Sequence, residues 1–259
     1  MSQTYKNYIG VFDSGVGGMS VLKQCLKYLP DENYYFFGDS INAPYGERPR
    51  EEIMELTMSG IGRMIDEGVK AIVIACNTAT SVAAEALREK YKDIPILAIE
   101  PALKPAVLEN EGKRILVMAT TKTIYGDRFQ NQLKKYKDKC TIYPVACPGL
   151  AERIEKGDLE KTDMKSLLDS LLKPYEGKVD CVVLGCTHYP FIKKQLRQVL
   201  GENIIFYDGG NGEARELKRQ LTVRGLLNDE DQKGKVVILS SKTDPETSSI
   251  YKTIFNMEI

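Results

Sequence analysis

Nine short apolar runs, most of them followed by a longer stretch of helical period, constrain this chain more than any other feature. Residues 8–13 (YIGVFD) read as a strand and 18–29 as a helix; 34–37 is a second strand, followed by a helix over 51–66. Residues 71–75 (AIVIA) make a third strand with a helix over 79–91, and 95–99 a fourth. The pattern then starts again, with strands at 115–119 (ILVMA), 141–145, 179–185 (VDCVVLG) and 204–207, a ninth at 236–240, and a closing helix over 245–255. Runs that stay apolar on consecutive residues have both faces covered. They belong in parallel sheets with helices on either side.

The two series resemble each other. Residues 9–15 (IGVFDSG) align with 115–121 (ILVMATT) at an offset of 106, and 71–80 (AIVIACNTAT) with 181–190 (CVVLGCTHYP) at an offset of 110. In each half the third strand ends on a small residue, then a cysteine, then hydroxyl or amide residues. Chance likeness among α/β strands does not explain two cysteines in register. The expected fold is α/β: two similar parallel-sheet domains related by a pseudo-twofold, with the active site at their interface. The tail beyond Asp208 is too short for a domain of its own and should return to the first half. The domains are then 1–98 plus 209–259, discontinuous, and 99–208.

Composition removes several function classes. Thirty-six Lys and Arg balance thirty-six Asp and Glu, whereas nucleic-acid binders show a basic excess. No window approaches the roughly 18 apolar residues of a membrane helix, and residues 1–8 lack the pattern of a secretory signal. A cytoplasmic protein is expected, whose six cysteines are free thiols. Neither nucleic acid nor membrane is an expected partner.

In parallel α/β sheets, ligands bind beyond the carboxyl ends of the strands, and five segments put polar residues there. Asp13-Ser14-Gly15-Val16-Gly17-Gly18 follows the first strand; its glycines would let backbone approach a ligand, and the next helix would offer N–H groups to an anion. It is no dinucleotide fingerprint, because Ser20 stands where G-x-G-x-x-G needs glycine. Asp13 could equally be a helix cap. Gly38-Asp39-Ser40 is similar to the nucleophile block of GDS-type serine esterases. Those need Asp-x-x-His, yet the residue three before the only histidine, His188, is Gly185. Cys76-Asn77-Thr78 and Cys186-Thr187-His188 each put a cysteine at a strand end beside a helix start, where the dipole would favour thiolate. Cys25, Cys140, Cys147 and Cys181 read as small buried hydrophobes. Cys76, Cys186 and His188 together could ligate a metal, but no pair has the usual zinc spacing. The fifth segment, 119–123, duplicates the Asp13 loop with threonines that could hold a carboxylate or cap a helix.

A free cysteine titrates near pH 8.5, so a thiol used as a base needs help. Asp13 could serve one thiol and His188 the other, with Glu155 a further candidate. Thiols from the two halves would face a ligand from opposite sides. One would remove a proton and the other donate one, which inverts a carbon centre. With no nucleotide fingerprint and no pyridoxal site arguable from the lysines, no cofactor is expected.

The blocks D-S-G-V-G-G (13–18), P-Y-G (44–46), A-C-N-T-A-T (75–80) and G-C-T-H-Y-P (185–190), in order over about residues 8–225, resemble the cofactor-independent aspartate/glutamate racemases. The resemblance implies two α/β domains around an interdomain site, and L-glutamate and D-glutamate interconverted in the cytoplasm to supply peptidoglycan. It implies Cys76 and Cys186 as catalytic cysteines assisted by Asp13, Glu155 and His188. Ser14, Pro44, Tyr45, Gly46, Asn77, Thr78, Thr120, Thr123 and Thr187 match substrate-contacting positions. A homodimer is the expected assembly. The sequence departs from the pattern at Glu213, where a threonine is expected, and in the tail after Ser241. Two other readings stay open: a racemase for aspartate or another amino acid, and a non-catalytic two-lobed amino-acid sensor.

Overall fold

The computed structural model describes residues 4–157, 159, 162–228 and 233–259. Its strands are β1 (Tyr8–Asp13), β2 (Asn33–Gly38), β3 (Ala71–Ile74), β4 (Ile96–Ala98), β5 (Arg114–Ala119), β6 (Thr141–Ala146), β7 (Cys181–Leu184), β8 (Ile205–Asp208) and β9 (Val236–Ser240). Helices α1 (Met19–Tyr28), α2 (Arg50–Asp66) and α3 (Asn77–Lys90) link the first four strands, and α4 (Leu103–Glu109) leads into β5. Then come α5 (Thr121–Tyr125), α6 (Asp127–Tyr136), α7 (Leu150–Glu155), α8 (Thr162–Leu172), α9 (Lys193–Leu200), α10 (Gly210–Arg224) and α11 (Pro245–Asn256).

The strands form two sheets, ordered β4-β3-β1-β2-β9 and β6-β5-β7-β8, and every pairing is parallel. Replacing β1–β4 by β5–β8 converts the first four-strand order into the second read backwards. The halves are therefore two copies of one topology, as the internal likeness predicts. Chain membership of the sheets supports the division 1–98 plus 209–259 against 99–208, which we propose as the domain bounds.

Strand residues alternate between two apolar layers because successive side chains point to opposite faces. In β1, Ile9 and Val11 enter one layer and Phe12 the other; in β2, Tyr34 and Phe36 oppose Tyr35 and Phe37. The first of these layers runs on through Leu116, Met118, Val182 and Leu184 into the second sheet. One continuous core thus joins the halves, while separate layers cover their outer faces. Among the described residues no helix is long and apolar enough to cross a membrane.

Register then sets what meets at the strand ends. Asp13 pairs with Gly38, and Phe12 with Ile74, so Asp13 and Cys76 leave adjacent strands on one edge. Met118 pairs with Leu184, which brings Thr120 and Cys186 out side by side in the second sheet.

After β8 the chain re-enters the first half through α10, which packs on α1 and β4. Its first turn carries Glu213, the residue that departs from the family pattern. It is 9% exposed, and its Oε1 has no hydrogen-bond partner. Burial pushes this carboxyl up to about 8, with Arg88 pulling against it and Glu216 and Glu100 adding to it. A pKa raised on folding gives stability that is full below the ordinary 4.5 and is lost as pH rises through about 8. Glu213→Gln should therefore stabilise the fold above pH 8 by on the order of 1–3 kcal/mol. The gain should fade as the pH is lowered to where both side chains are neutral. Thermal unfolding of both proteins across that range checks it, and a gain independent of pH would refute it.

Candidate active site

Cys76 is the N-cap of α3. Its thiol accepts the Ala79 N–H at 3.4 Å and donates to Ser14 Oγ at 3.4 Å. Because the thiol takes the cap, the helix begins at Asn77, two residues earlier than the sequence pattern places it. Cys76 is 5% exposed. Burial, then the neighbouring Asp13, push it up to about 12. A helix start does stand beside this thiol, but its dipole does not produce a thiolate: desolvation of the charged form wins.

Cys186 differs. A 3-10 turn over Tyr189–Ile192, with Pro190 in its first positions, separates it from α9. The element that directly follows this thiol is therefore a 3-10 turn and not an α-helix, which corrects the expectation of equal dipole support. Its partner is a ring instead. Cys186 Sγ lies 3.5 Å from His188 Nδ1, and His188 Nε2 lies 2.5 Å from Glu155 Oε1, at the end of α7. Burial disfavours the imidazolium, but Cys186 and Glu155 outweigh it and hold His188 well above its ordinary value.

The glycine-rich loop packs against the opposite half. A Cβ on Gly15 would lie 1.9 Å from Glu155 Oε1, and one on Gly17 would lie 2.4 Å from His188 Nδ1. Glu155 Oε1 also accepts the Val16 N–H at 2.7 Å. One amide of the loop is thus taken by a carboxylate of the protein itself. Asp13, wholly buried, accepts from Gly15 N at 2.9 Å and from Thr187 Oγ1 at 3.1 Å. It caps no helix: the N-cap of α1 is Gly18, with no side-chain bond. Burial pushes Asp13 up to about 6 against the pull of His188.

A row of hydroxyls crosses between the halves. Thr78 Oγ1 lies 2.9 Å from Thr120 Oγ1, which donates to Thr123 Oγ1 at 3.1 Å and caps α5. Gly46 lies against Thr120, where a Cβ would come within 2.8 Å of the threonine Cβ. Beside it, Pro44 leads into a 3-10 turn that buries Tyr45. Asn77 Oδ1 is buried without a partner. Arg48, two residues beyond Gly46, is bound to Asn42 O and Glu52.

Ser20 was not singled out by chemistry in the sequence, only as a break in a glycine pattern. It donates to Thr187 O at 2.8 Å and Gly17 O at 2.9 Å. Its hydroxyl pins the second cysteine loop to the first helix. Cys147 fits its reading as a small buried hydrophobe: burial and nearby Cys186 push it up to about 12 and keep it neutral. Ser40, the esterase-like serine, is bound to Tyr251 OH at 2.7 Å. Among the described residues no group of three or more His, Cys, Asp or Glu could hold a metal ion.

Two repeated parallel α/β units, each with a buried cysteine just beyond its third strand, define the class: a two-domain α/β protein with its candidate site where the halves meet. The family model of Asp/Glu/Hydantoin racemase matches residues 9–211. A glutamate racemase of Clostridium perfringens is 46% identical over 251 residues, 96% of each chain. The crystal structure of the Francisella tularensis glutamate racemase with D-glutamate superposes with a TM-score of 0.83 at 27% identity, over 98% of this chain and 95% of that one. The Escherichia coli glutamate racemase, in complex with L-glutamate and the activator UDP-MurNAc-ala, gives 0.81 at 30% identity, over 96% and 94%. The chain belongs to the Asp/Glu/Hydantoin racemase family.

The contact of glycine loop with histidine is testable by adding one methyl. Gly17→Ala should cost about 1–3 kcal/mol of stability, as overpacking does. It should also move the imidazole NMR signals, which report His188 alone because the chain has one histidine. Gly212→Ala, where an added Cβ meets nothing within 4 Å, is the control and should leave both unchanged or stabilise slightly. Unmoved imidazole signals in Gly17→Ala would refute the contact.

Proposed function

We propose that the protein is a glutamate racemase in which Cys76 and Cys186 act on opposite faces of the α-carbon, supplying D-glutamate for peptidoglycan in the cytoplasm. The observation that carries this reading is the pair of buried strand-end thiols, one from each repeated half, each with its own proton partner. In the L to D direction the Cys186 thiolate takes the α-proton: the C–H bond breaks and its electrons stay on carbon. The Cys76 thiol delivers its proton to the other face, leaving a thiolate there. The reverse direction exchanges the roles. Burial keeps Cys76 protonated at rest, which suits it to be the donor in the first direction. His188, between Cys186 and Glu155, is placed to exchange a proton with that thiol.

Substrate binding follows from the same side chains. Asn77 Oδ1, buried and unpartnered, is an acceptor suited to the α-ammonium group. The threonine hydroxyls, with Ser14 and Thr187, are donors for carboxylates, and buried donors that are already oriented bind anions without a cationic side chain.

Labelling tests the two-face chemistry directly. With L-glutamate in heavy water, early D-glutamate should be almost fully deuterated at the α-carbon, and the remaining L-glutamate almost unlabelled. Substantial protium in that early product would mean one base carrying the same proton, and would sink the mechanism. Cys76→Ala and Cys186→Ala should each lose about 100-fold or more in both directions. No turnover of glutamate by the parent protein, with turnover of aspartate, would move the substrate assignment.

Asp13 sets a pH limb. Its carboxyl titrates at about 6, and the ionised form is the one able to accept charge and protons from the Cys76 side. Activity should therefore fall as pH drops through about 6. Enantiomers have equal free energy, so kcat/KM must be identical in the two directions at every pH. The limb must then appear equally in both, and Asp13→Asn should abolish it along with most of the activity. A limb that persists in Asp13→Asn would assign it to another group.

A further inference from the structure

The esterase-like Gly38-Asp39-Ser40 block contributes no nucleophile, yet its aspartate is buried, at 7% exposed. Its backbone N–H donates to Asp13 O at 3.0 Å, so Asp39 leaves β2 directly beside Asp13. Its carboxylate turns toward the loop that follows. Tyr45 OH donates to Oδ2 at 2.7 Å, and Asn42 Nδ2 donates to Oδ1 at 3.1 Å and Oδ2 at 3.0 Å. The backbone of Asn42 returns to Asp39 O at 3.0 Å. One carboxylate therefore gathers both ends of residues 39–45.

What that loop carries makes the anchor matter. Tyr45 is buried to 1% exposure and packs by Phe12, 6.4 Å between ring centres. Gly46 follows it and presses against Thr120, the hydroxyl in contact with Thr78 across the halves. The only route from β2 to that contact is the turn that Asp39 holds. Without the carboxylate, the Tyr45 hydroxyl would be buried with no acceptor, and such a group is costly unless the chain moves to wet it. Movement of Tyr45 carries Gly46 away from Thr120.

We propose that Asp39 is a positioning residue for substrate binding: it fixes the Pro44-Tyr45-Gly46 turn against Thr120 before the amino acid arrives. A wall ordered in advance lowers the entropy cost of binding. The side chain contacts no reacting atom, so its effect falls on affinity for the dicarboxylate substrate rather than on proton transfer. The proposal rests on the glutamate reading for its substrate.

Asp39→Asn keeps the shape but leaves one donor pointing at another donor. It should raise KM for L- and D-glutamate about tenfold, with kcat changing less than about threefold. Tyr45→Phe removes the same hydrogen bond from the other side and should raise KM similarly. The double variant should be no worse in KM than either single one, because both delete one interaction. Hydrogen exchange without ligand gives a readout independent of turnover: backbone amides of 42–48 should exchange faster in Asp39→Asn, while those of β1 and β3 keep parent rates. A lowered Tm with parent KM and parent exchange at 42–48 would make Asp39 merely structural and overturn the proposal. So would KM effects that multiply in the double variant. If the parent fails to turn over glutamate, the functional reading fails, and exchange at 42–48 still decides whether Asp39 holds the turn.

Discussion

The carboxylate of Glu155 is the contact on which the arrangement at the interface depends. From the end of α7 it crosses to the first half, accepts the Val16 N–H, and holds His188 at its other ring nitrogen from Cys186. Hydrogen bonds to an ionised group in a dry site contribute about 1.5–3 kcal/mol each. Leaving such a charge unpaired would cost more. Any slide of one half past the other breaks the Val16 bond and leaves the carboxylate with His188 alone. The loop glycines are what let the carboxylate come so close.

That anchoring is unsymmetrical, although the fold repeats. The two sheets share one strand order, and each third strand ends in a cysteine. Around Cys76 the groups are a helix cap, a serine and a buried aspartate; around Cys186 they are an imidazole and a glutamate. Both thiols are buried, and each half surrounds its cysteine with different chemistry. A pseudo-symmetric scaffold with different proton partners suits a reaction whose two directions are chemically alike but must begin from opposite faces.

The glycine loop, the Asp39 turn and the threonine row have a common feature. Each is a short segment at a strand end whose shape is set by a buried polar side chain: Asp13 for residues 13–15, Asp39 for 39–45, Thr120 for 120–123. Buried polar atoms that are fully bonded specify one geometry, because any other leaves them unsatisfied. The strand-end position of the site comes from register rather than from the loops.

The sequence by itself determined the sheets, their parallel sense, the repeat and the two strand-end cysteines. Those depend on local properties: strand runs whose residues are apolar on both faces, helical period between them, and cysteines placed directly after β3 and β7. It also carried Asp13, Glu155 and His188 as candidates through family resemblance, and the structure brings all three together. Tertiary structure alone decided what the neighbours do. Glu155 reaches Val16 across 139 residues of chain and Thr187 reaches Asp13 across 174, and no local pattern encodes pairings at that separation. For that reason the sequence could not show that the glycines also seat a protein carboxylate. For the same reason the Cys186 loop read as a helix start, when Pro190 and a 3-10 turn leave its chemistry to an imidazole. Ser20 and Asp39 were legible in the sequence only as parts of motifs that fail, because a side chain's value as an anchor depends on which distant atoms burial leaves within its reach.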